Sequence, residues 1–243
     1  MKGPSVRIVT CADTAIVVEF GDAVDRRVNE RVLAANDAIA AAGLRGVVET
    51  VPTFRSLMIH YDPLLTSSAA LTAAIESALD GDGGRRQAPR RWLVPVCYED
   101  ARAPDLADVA RRAGLTRDAV IACHVGRAYH VYMIGFLPGY PYMGDLAEAI
   151  CLPRRETPRI RLPAGSVGIA TTMTAIYPYQ SPGGWHLIGS TPAPIFDPGA
   201  MPPARFAAGD TVAFEPIASK AFDEIQAAAA DGSYVLAPVE AAS

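Results

Sequence analysis

The sequence predicts an α+β chain in two parts. Residues 1–84 read as a ferredoxin-like β-α-β-β-α-β domain, with 90–98 as the candidate for its last strand. Residues 85–243 read as a β-rich domain of barrel or sandwich type. Three observations carry this. Strand-like and helix-like stretches alternate through the first half, and "GDGGRRQAP" (81–89) has the composition of a linker. From about Ala128 to Pro216 helical periodicity gives way to short apolar runs between Gly/Pro breaks.

The elements follow in order. The stretch from Met1 to Phe20 is apolar in patches but broken by Asp13, so it reads as one or two strands rather than a signal peptide. Within it "TAIVVEF" (14–20) is β-branched and apolar. From Val24 to Ala42 the chain is alanine-rich, with Val28, Val32, Leu33 and Ile39 near helical spacing and Gly43 as the stop. "VVETV" and "SLMIHYD" are two strands parted by "PTFR". "SSAALTAAIESALDG" is a helix capped by Ser67 or Ser68 and ended by Gly81. "RWLVPVCYE" is the next strand. Two short helices follow, "PDLADVARRAGL" and "TRDAVIACHVG", the second with Thr116 as its cap. Strand character resumes at "AYHVYMIG" and recurs at "RIRLP", "GIATTMTAIYP", "WHLIGST" and "TVAFEPI", before a tail helix "SKAFDEIQAAAADG".

Composition removes several function classes. Lys+Arg 22 against Asp+Glu 26 gives a net charge of -4, which offers no basic excess for a nucleic-acid backbone. The cluster Arg85, Arg86, Arg90 and Arg91 flanks glycines and a proline, and a solvated linker explains it more simply than a binding patch. The cysteines at 11, 97, 123 and 151 form no C-x-x-C pair, against a zinc site, and are too few for a disulfide scaffold. Free thiols in a reducing cytosol are the expectation, and with no apolar run of roughly 18 residues the reading is a cytoplasmic protein with no membrane partner.

Four stretches invite chemistry. "GFLPGYPYM" (135–143) holds two glycines, two prolines and three aromatics, so its rings must pack on the core or on a ligand. Its Tyr140-Pro141 bond is a candidate for cis geometry. "SPGGWHLIG" (181–189) is either an anion-binding concavity or a tight turn with Trp185 in the core. "PAGSVG" (163–168) has Ala164 where a nucleophile elbow needs glycine, and strand rather than helix follows, so Ser166 suits a hydrogen-bonding role better than attack. "PRRETPRIRLP" (153–163) presents four arginines on a proline-stiffened segment, suited either to a carboxylate or phosphate or to protecting an edge strand. "GDGG" (81–84) lacks the helix and lysine of a phosphate loop. His60, His124, His130 and His186 are isolated, give no metal pattern, and leave His124 beside Cys123 facing a different way on a helix.

Together these stretches become recognisable. "GFLPGYPYMGDL", "PRRETPRIRLPAGSVGIA", "IYPYQSPGGWHLIGSTP" and "GDTVAFEPI", with "DTAIVVEFGD" and "VETVPTFRSLMIHYDP" upstream, resemble the 5-oxoprolinase B-subunit family, also called the allophanate hydrolase subunit 1 or KipI family. The resemblance runs from about Ala12 to Ile217. It implies that the second domain is a cyclophilin-like all-β barrel. It also implies a non-autonomous component of an ATP-dependent enzyme that opens 5-oxoproline to glutamate. Its partners would be a protein with a related barrel, of the 5-oxoprolinase C-subunit or allophanate hydrolase subunit 2 type, and the 5-oxoprolinase A-subunit. ATP would be the cofactor, bound by this chain or only in the complex, with no metal beyond its accompanying Mg. Other members imply two alternatives: a regulatory protein that inhibits a sensor histidine kinase, and one subunit of a urea- or allophanate-processing enzyme.

The resemblance implies a substrate-facing set of Phe136, Pro138, Gly139, Tyr142, Gly165, Ser166, Tyr177, Ser181, Gly183, Gly184 and Trp185, with His124, Arg159 and Ser166 as candidates for catalysis. Four positions depart from the family pattern. Thr171 and Ala175 stand where glycines are expected, Met173 for a glutamine and Ser190 for an arginine. A methionine and a serine supply neither paired amide hydrogen bonds nor charge.

Overall fold

A computed structural model describes residues 6–80 and 88–239, so "GDGG", most of the "GDGGRRQAP" linker and the ragged tail end lie outside the described residues. The chain divides into two compact units, Met1–Ala88 and Pro89–Ser243.

The first unit runs β1 (Arg7–Cys11), β2 (Ala15–Glu19), α1 (Arg26–Ala42), β3 (Val47–Pro52), β4 (Ser56–Tyr61) and α2 (Ser68–Asp80). Its antiparallel sheet has the order β1-β2-β4-β3. Alternation on β2 and β4 turns Ile16, Val18, Leu57 and Ile59 to one face, where Val32 and Ile39 of α1 and Leu71 and Ile75 of α2 cover them. The Asp25 carboxylate caps α1 by accepting from the Arg27 and Val28 amides, and Gly43 ends it in the left-handed region.

The β-α-β-β-α-β expectation needs correction at both ends. An N-terminal hairpin supplies the fourth strand, giving β-β-α-β-β-α. The expected closing strand, β5 (Arg91–Val96), instead pairs in parallel with a strand near the C-terminus of the second unit. Its Trp92, Val94 and Val96 are buried in that unit's core, and the Trp92 indole donates to Asp210 at 2.9 Å. β propensity announces a strand but not its partner.

The second unit continues with α3 (Leu106–Ala113), α4 (Arg117–Val125), β6 (Tyr129–Ile134), β7 (Pro141–Gly144), β8 (Arg159–Leu162), β9 (Ser166–Ala170), β10 (Met173–Ile176), β11 (Ser181–Gly183), β12 (His186–Ser190), β13 (Thr211–Pro216), α5 (Ser219–Ala230) and β14 (Pro238–Val239). Eight strands form one sheet, ordered β12-β9-β10-β7-β6-β13-β5-β14, and β11 pairs with β8 separately. The sheet curls until Cys97, just past β5, meets Ser190 at the end of β12 through backbone hydrogen bonds of 2.8 and 3.0 Å. That single bridge is not a ladder, so the expected closed, all-β barrel is replaced by a mixed unit with an open sheet. Leu106, Val109 and Val120 of α3 and α4 belong to its core with Val131, Val167, Ile169, Ile188 and Val212 of the strands.

Two local expectations also change. "GIATTMTAIYP" is a hairpin, because Thr171 takes φ 52° and turns β9 into β10. The cis peptide among the described residues is Met201-Pro202, not Tyr140-Pro141.

Candidate functional site

The aromatic loop is a tight turn. The Gly135 amide donates to the Tyr140 carbonyl at 3.1 Å and the Tyr140 amide to the Leu137 carbonyl at 3.0 Å. Gly139 takes φ 76°, and a Cβ there would lie 2.6 Å from the Phe196 ring. The turn delivers Tyr140 and Tyr142 to a second, smaller apolar cluster with Leu162, Ala170, Ala175, Tyr177, Trp185 and Leu187. Tyr140 is its hub, edge-on to Tyr142 at 4.9 Å, Tyr177 at 5.0 Å, Phe136 at 5.4 Å and Trp185 at 6.2 Å. Such edge-to-face contacts hold the rings at defined angles.

Above this cluster opens a cleft of about 270 Å³ walled by Phe136, Tyr140, Tyr142, Tyr177 and Trp185, with Arg154, Pro158, Pro182, Gly183 and Gly184 along its sides. Gly183 is required by closeness: a Cβ would stand 2.6 Å from the Tyr177 hydroxyl and 2.5 Å from Leu162. Burial raises the phenols of Tyr140, Tyr142 and Tyr177 above their ordinary value, while the positive charge of Arg154 pulls each back. All three are neutral O–H groups at neutral pH.

Asp105, only 4% exposed, fixes the side of the cleft. It accepts two hydrogen bonds from Arg159 at 2.6 and 2.7 Å, one from Arg155 at 3.0 Å and one from the Leu187 amide at 2.7 Å. Burial alone would raise its carboxyl, but these donors outweigh it and hold the group below the usual carboxylate range. Arg159 lies opposite Gly183 in the β8–β11 pair, so the knot also positions the glycine wall.

A neighbouring cavity of about 350 Å³ shares Tyr177 and is lined by Gly165, Ser166, Ser190, Thr191, Leu187 and Phe222 among others. Ser166 is buried there, its hydroxyl donating to the Pro163 carbonyl at 2.7 Å. Gly165 takes φ 79° against the Thr191 carbonyl, which a Cβ would meet at 2.3 Å.

The expected site residues therefore divide. Phe136, Tyr142, Tyr177, Gly183, Gly184 and Trp185 converge on the aromatic cleft, and Gly165 and Ser166 on its neighbour. Gly139 packs on Phe196, while exposed Pro138 and buried Ser181 line neither cavity. Arg159 is committed to Asp105. His124 is fully buried in the core, stacked on Phe214 at 4.5 Å, with Tyr98 and Thr174 hydroxyls at 2.8 and 2.9 Å on its two ring nitrogens. Burial lowers its pKa to about 3, so it is neutral. Tyr140 and Arg154 line the cleft but are absent from the expected substrate set; the aromatic loop and the arginine run are the signals for them. Of the departures, Met173 and Ala175 belong to the aromatic cluster, and Ser190 lines the other cavity. Among the described residues no group of His, Cys, Asp and Glu is arranged to hold a metal ion, and no helix is long and apolar enough to cross a membrane.

Comparison with known proteins adds the decisive observation. The family described as carboxyltransferase domain, subdomain C and D, matches residues 6–206. The chain belongs to this family. A family relative, the 5-oxoprolinase B-subunit of Bacillus subtilis (strain 168), is 38% identical over 225 residues, covering 88% of this chain and 94% of the relative. The 5-oxoprolinase B-subunit of Haemophilus influenzae is 41% identical over 167 residues, covering 69% of this chain and 75% of its own. Among solved structures, TTHA0988 superposes with a TM-score of 0.76 at 34% identity over 88% of this chain. The chain spans 41% of the length of that structure.

Proposed function

We propose that this chain is one subunit of an ATP-dependent 5-oxoprolinase-type amidohydrolase, which opens 5-oxoproline to glutamate together with partner subunits. The observation that carries this is the 38% identity extending over 94% of the Bacillus subtilis 5-oxoprolinase B-subunit. The partners in this reading are proteins of the 5-oxoprolinase C-subunit and A-subunit types, in the cytoplasm.

The chemistry fits the cleft. A lactam carbonyl is a poor electrophile that ATP would activate in the assembled complex, so the part left to this chain's cleft would be to orient a small ring and donate hydrogen bonds rather than to supply a strong nucleophile. Aromatic walls grip such a ring, and the neutral phenols are donors that remain protonated during turnover. A magnesium triphosphate fits this chain's residues less well. Along the groove beside the cleft, Arg111 and Arg112 pair with Asp108, and Arg155 with Asp105, which leaves Arg154 as the uncommitted cation for several negative charges. The nucleotide is assigned to the assembled complex.

Reconstitution tests the reading. The chain alone and the chain with its partner subunits are assayed for ATP-dependent release of glutamate from 5-oxoproline. Turnover confined to the complex is expected. An assembled complex without turnover sinks the reading, and binding to a sensor kinase becomes the next one to test.

A further inference from the structure

We propose that Arg154, standing over Trp185 at the side of the aromatic cleft, is the carboxylate clamp that selects an acidic small-ring ligand. This rests on the reading of the cleft as a site for a cyclic amide acid, and it names the group that recognises the acid.

Four observations lead to it. First, Arg154 is the one charged residue lining the cleft; every other wall is aromatic, proline or glycine. A single cation in a mostly apolar wall favours a ring with one negative charge. Second, Arg154 is uncommitted. Its neighbours Arg155 and Arg159 share Asp105, whereas among the described residues Arg154 has no carboxylate within ion-pair distance. Its guanidinium lies 6.0 Å from the Trp185 ring centre, at the outer limit of a cation–π contact, so its donors are available for a bidentate carboxylate.

Third, its backbone is anchored on both sides. His186 holds the Pro153 carbonyl through Nε2 at 2.9 Å, and the Arg155 amide donates to the Gly184 carbonyl at 2.8 Å. The side chain is thus presented from a fixed point, which lowers the ordering cost on binding. Fourth, no other residue of the cleft can take over the charge. Met173 packs in the aromatic cluster as an apolar side chain, and Ser190 lines the neighbouring cavity. Anion recognition in this cleft therefore falls to Arg154. The volume of about 270 Å³ suits one five- or six-membered ring carrying a carboxylate.

The test is direct binding to the full chain without ATP, read by tryptophan fluorescence, with 5-oxoproline, benzoate and the uncharged lactam 2-pyrrolidinone as probes. Wild-type protein should prefer 5-oxoproline to 2-pyrrolidinone. Arg154→Met should weaken the two carboxylates about 10- to 100-fold, as expected for a lost charge-assisted pair, and leave 2-pyrrolidinone unchanged. Arg154→Lys should recover part of the loss, since it restores charge without the fork. An unchanged thermal melt identifies folded variants. In the reconstituted complex, Arg154→Met should raise KM for 5-oxoproline with little change in kcat. Equal affinity of wild type and Arg154→Met for the carboxylates overturns the clamp, as does failure of either carboxylate to bind saturably at about 10 mM. A complex that binds 5-oxoproline through Arg154 but does not hydrolyse it overturns the enzymatic reading and leaves the clamp standing.

Discussion

Two arginines five positions apart on one proline-stiffened segment have opposite fates. Arg159 reaches a buried carboxylate with both arms of its fork, and Asp105 is completed by Arg155 and the Leu187 amide. Arg154 reaches an aromatic face and no carboxylate among the described residues. The difference teaches where this segment spends its charge. Paired charge fastens β8 and, through it, the glycine wall of the cleft; the unpaired charge is left facing the space that the fastening shapes.

The contrast can be broken experimentally. Arg159→Met removes two of the four hydrogen bonds on the buried Asp105 carboxylate, with Arg155 and the Leu187 amide still in place, and should cost about 2–3 kcal/mol of stability, read by urea unfolding. Arg154→Met in the same assay should cost under about 0.5 kcal/mol, and equal losses would erase the distinction.

His124 extends the comparison to a group committed by burial instead of charge. Its folded pKa of about 3 lies below the ordinary histidine value, so the unfolded chain takes up a proton that the folded chain refuses. Stability is complete above about pH 6.5 and falls as pH drops toward about 3, with roughly 2 kcal/mol lost by about pH 5. His124→Gln should flatten that slope in urea titrations, whatever its own stability. A wild-type slope that persists in the variant would place the titrating group elsewhere.

Smaller effects sharpen the picture at the cleft. Gly183→Ala must push Tyr177 or Leu162 aside and should cost about 1–3 kcal/mol while changing the tryptophan fluorescence of the site. Thr171→Gly should raise stability by about 1 kcal/mol in a thermal melt, because φ 52° strains a β-branched residue.

Local chemistry made much of the fold legible. The helix limits at Gly43 and Thr116 follow from caps readable within a few residues, and the structure has them. The partner of β5 was not legible, because pairing Arg91–Val96 with Thr211–Pro216 is decided by which core buries Trp92. The same limit applies to the site. The rings of "GFLPGYPYM" and "SPGGW" were visible, but whether they pack on the core or face a ligand was not, and Tyr140 and Trp185 do both, buried in the aromatic cluster and lining the cleft. Arg154 and Arg159 look alike in sequence, and only a carboxylate 54 residues away separates them. The surroundings of His124 were equally hidden, since Tyr98 and Thr174, which bracket its ring, lie far along the chain.

Phe136 holds φ 66°, a left-handed backbone that a bulky residue adopts only at a cost, and its ring is 60% exposed beside the cleft. Two selections on one codon library at position 136 should therefore diverge. Sorting for heat resistance alone should enrich glycine and asparagine, which accept that backbone readily. Sorting for ligand capture should return phenylalanine, whose ring borders the cleft. A library in which both sorts converge on phenylalanine would mean that the ring contributes more to the fold, through Tyr140, than the strained backbone takes away.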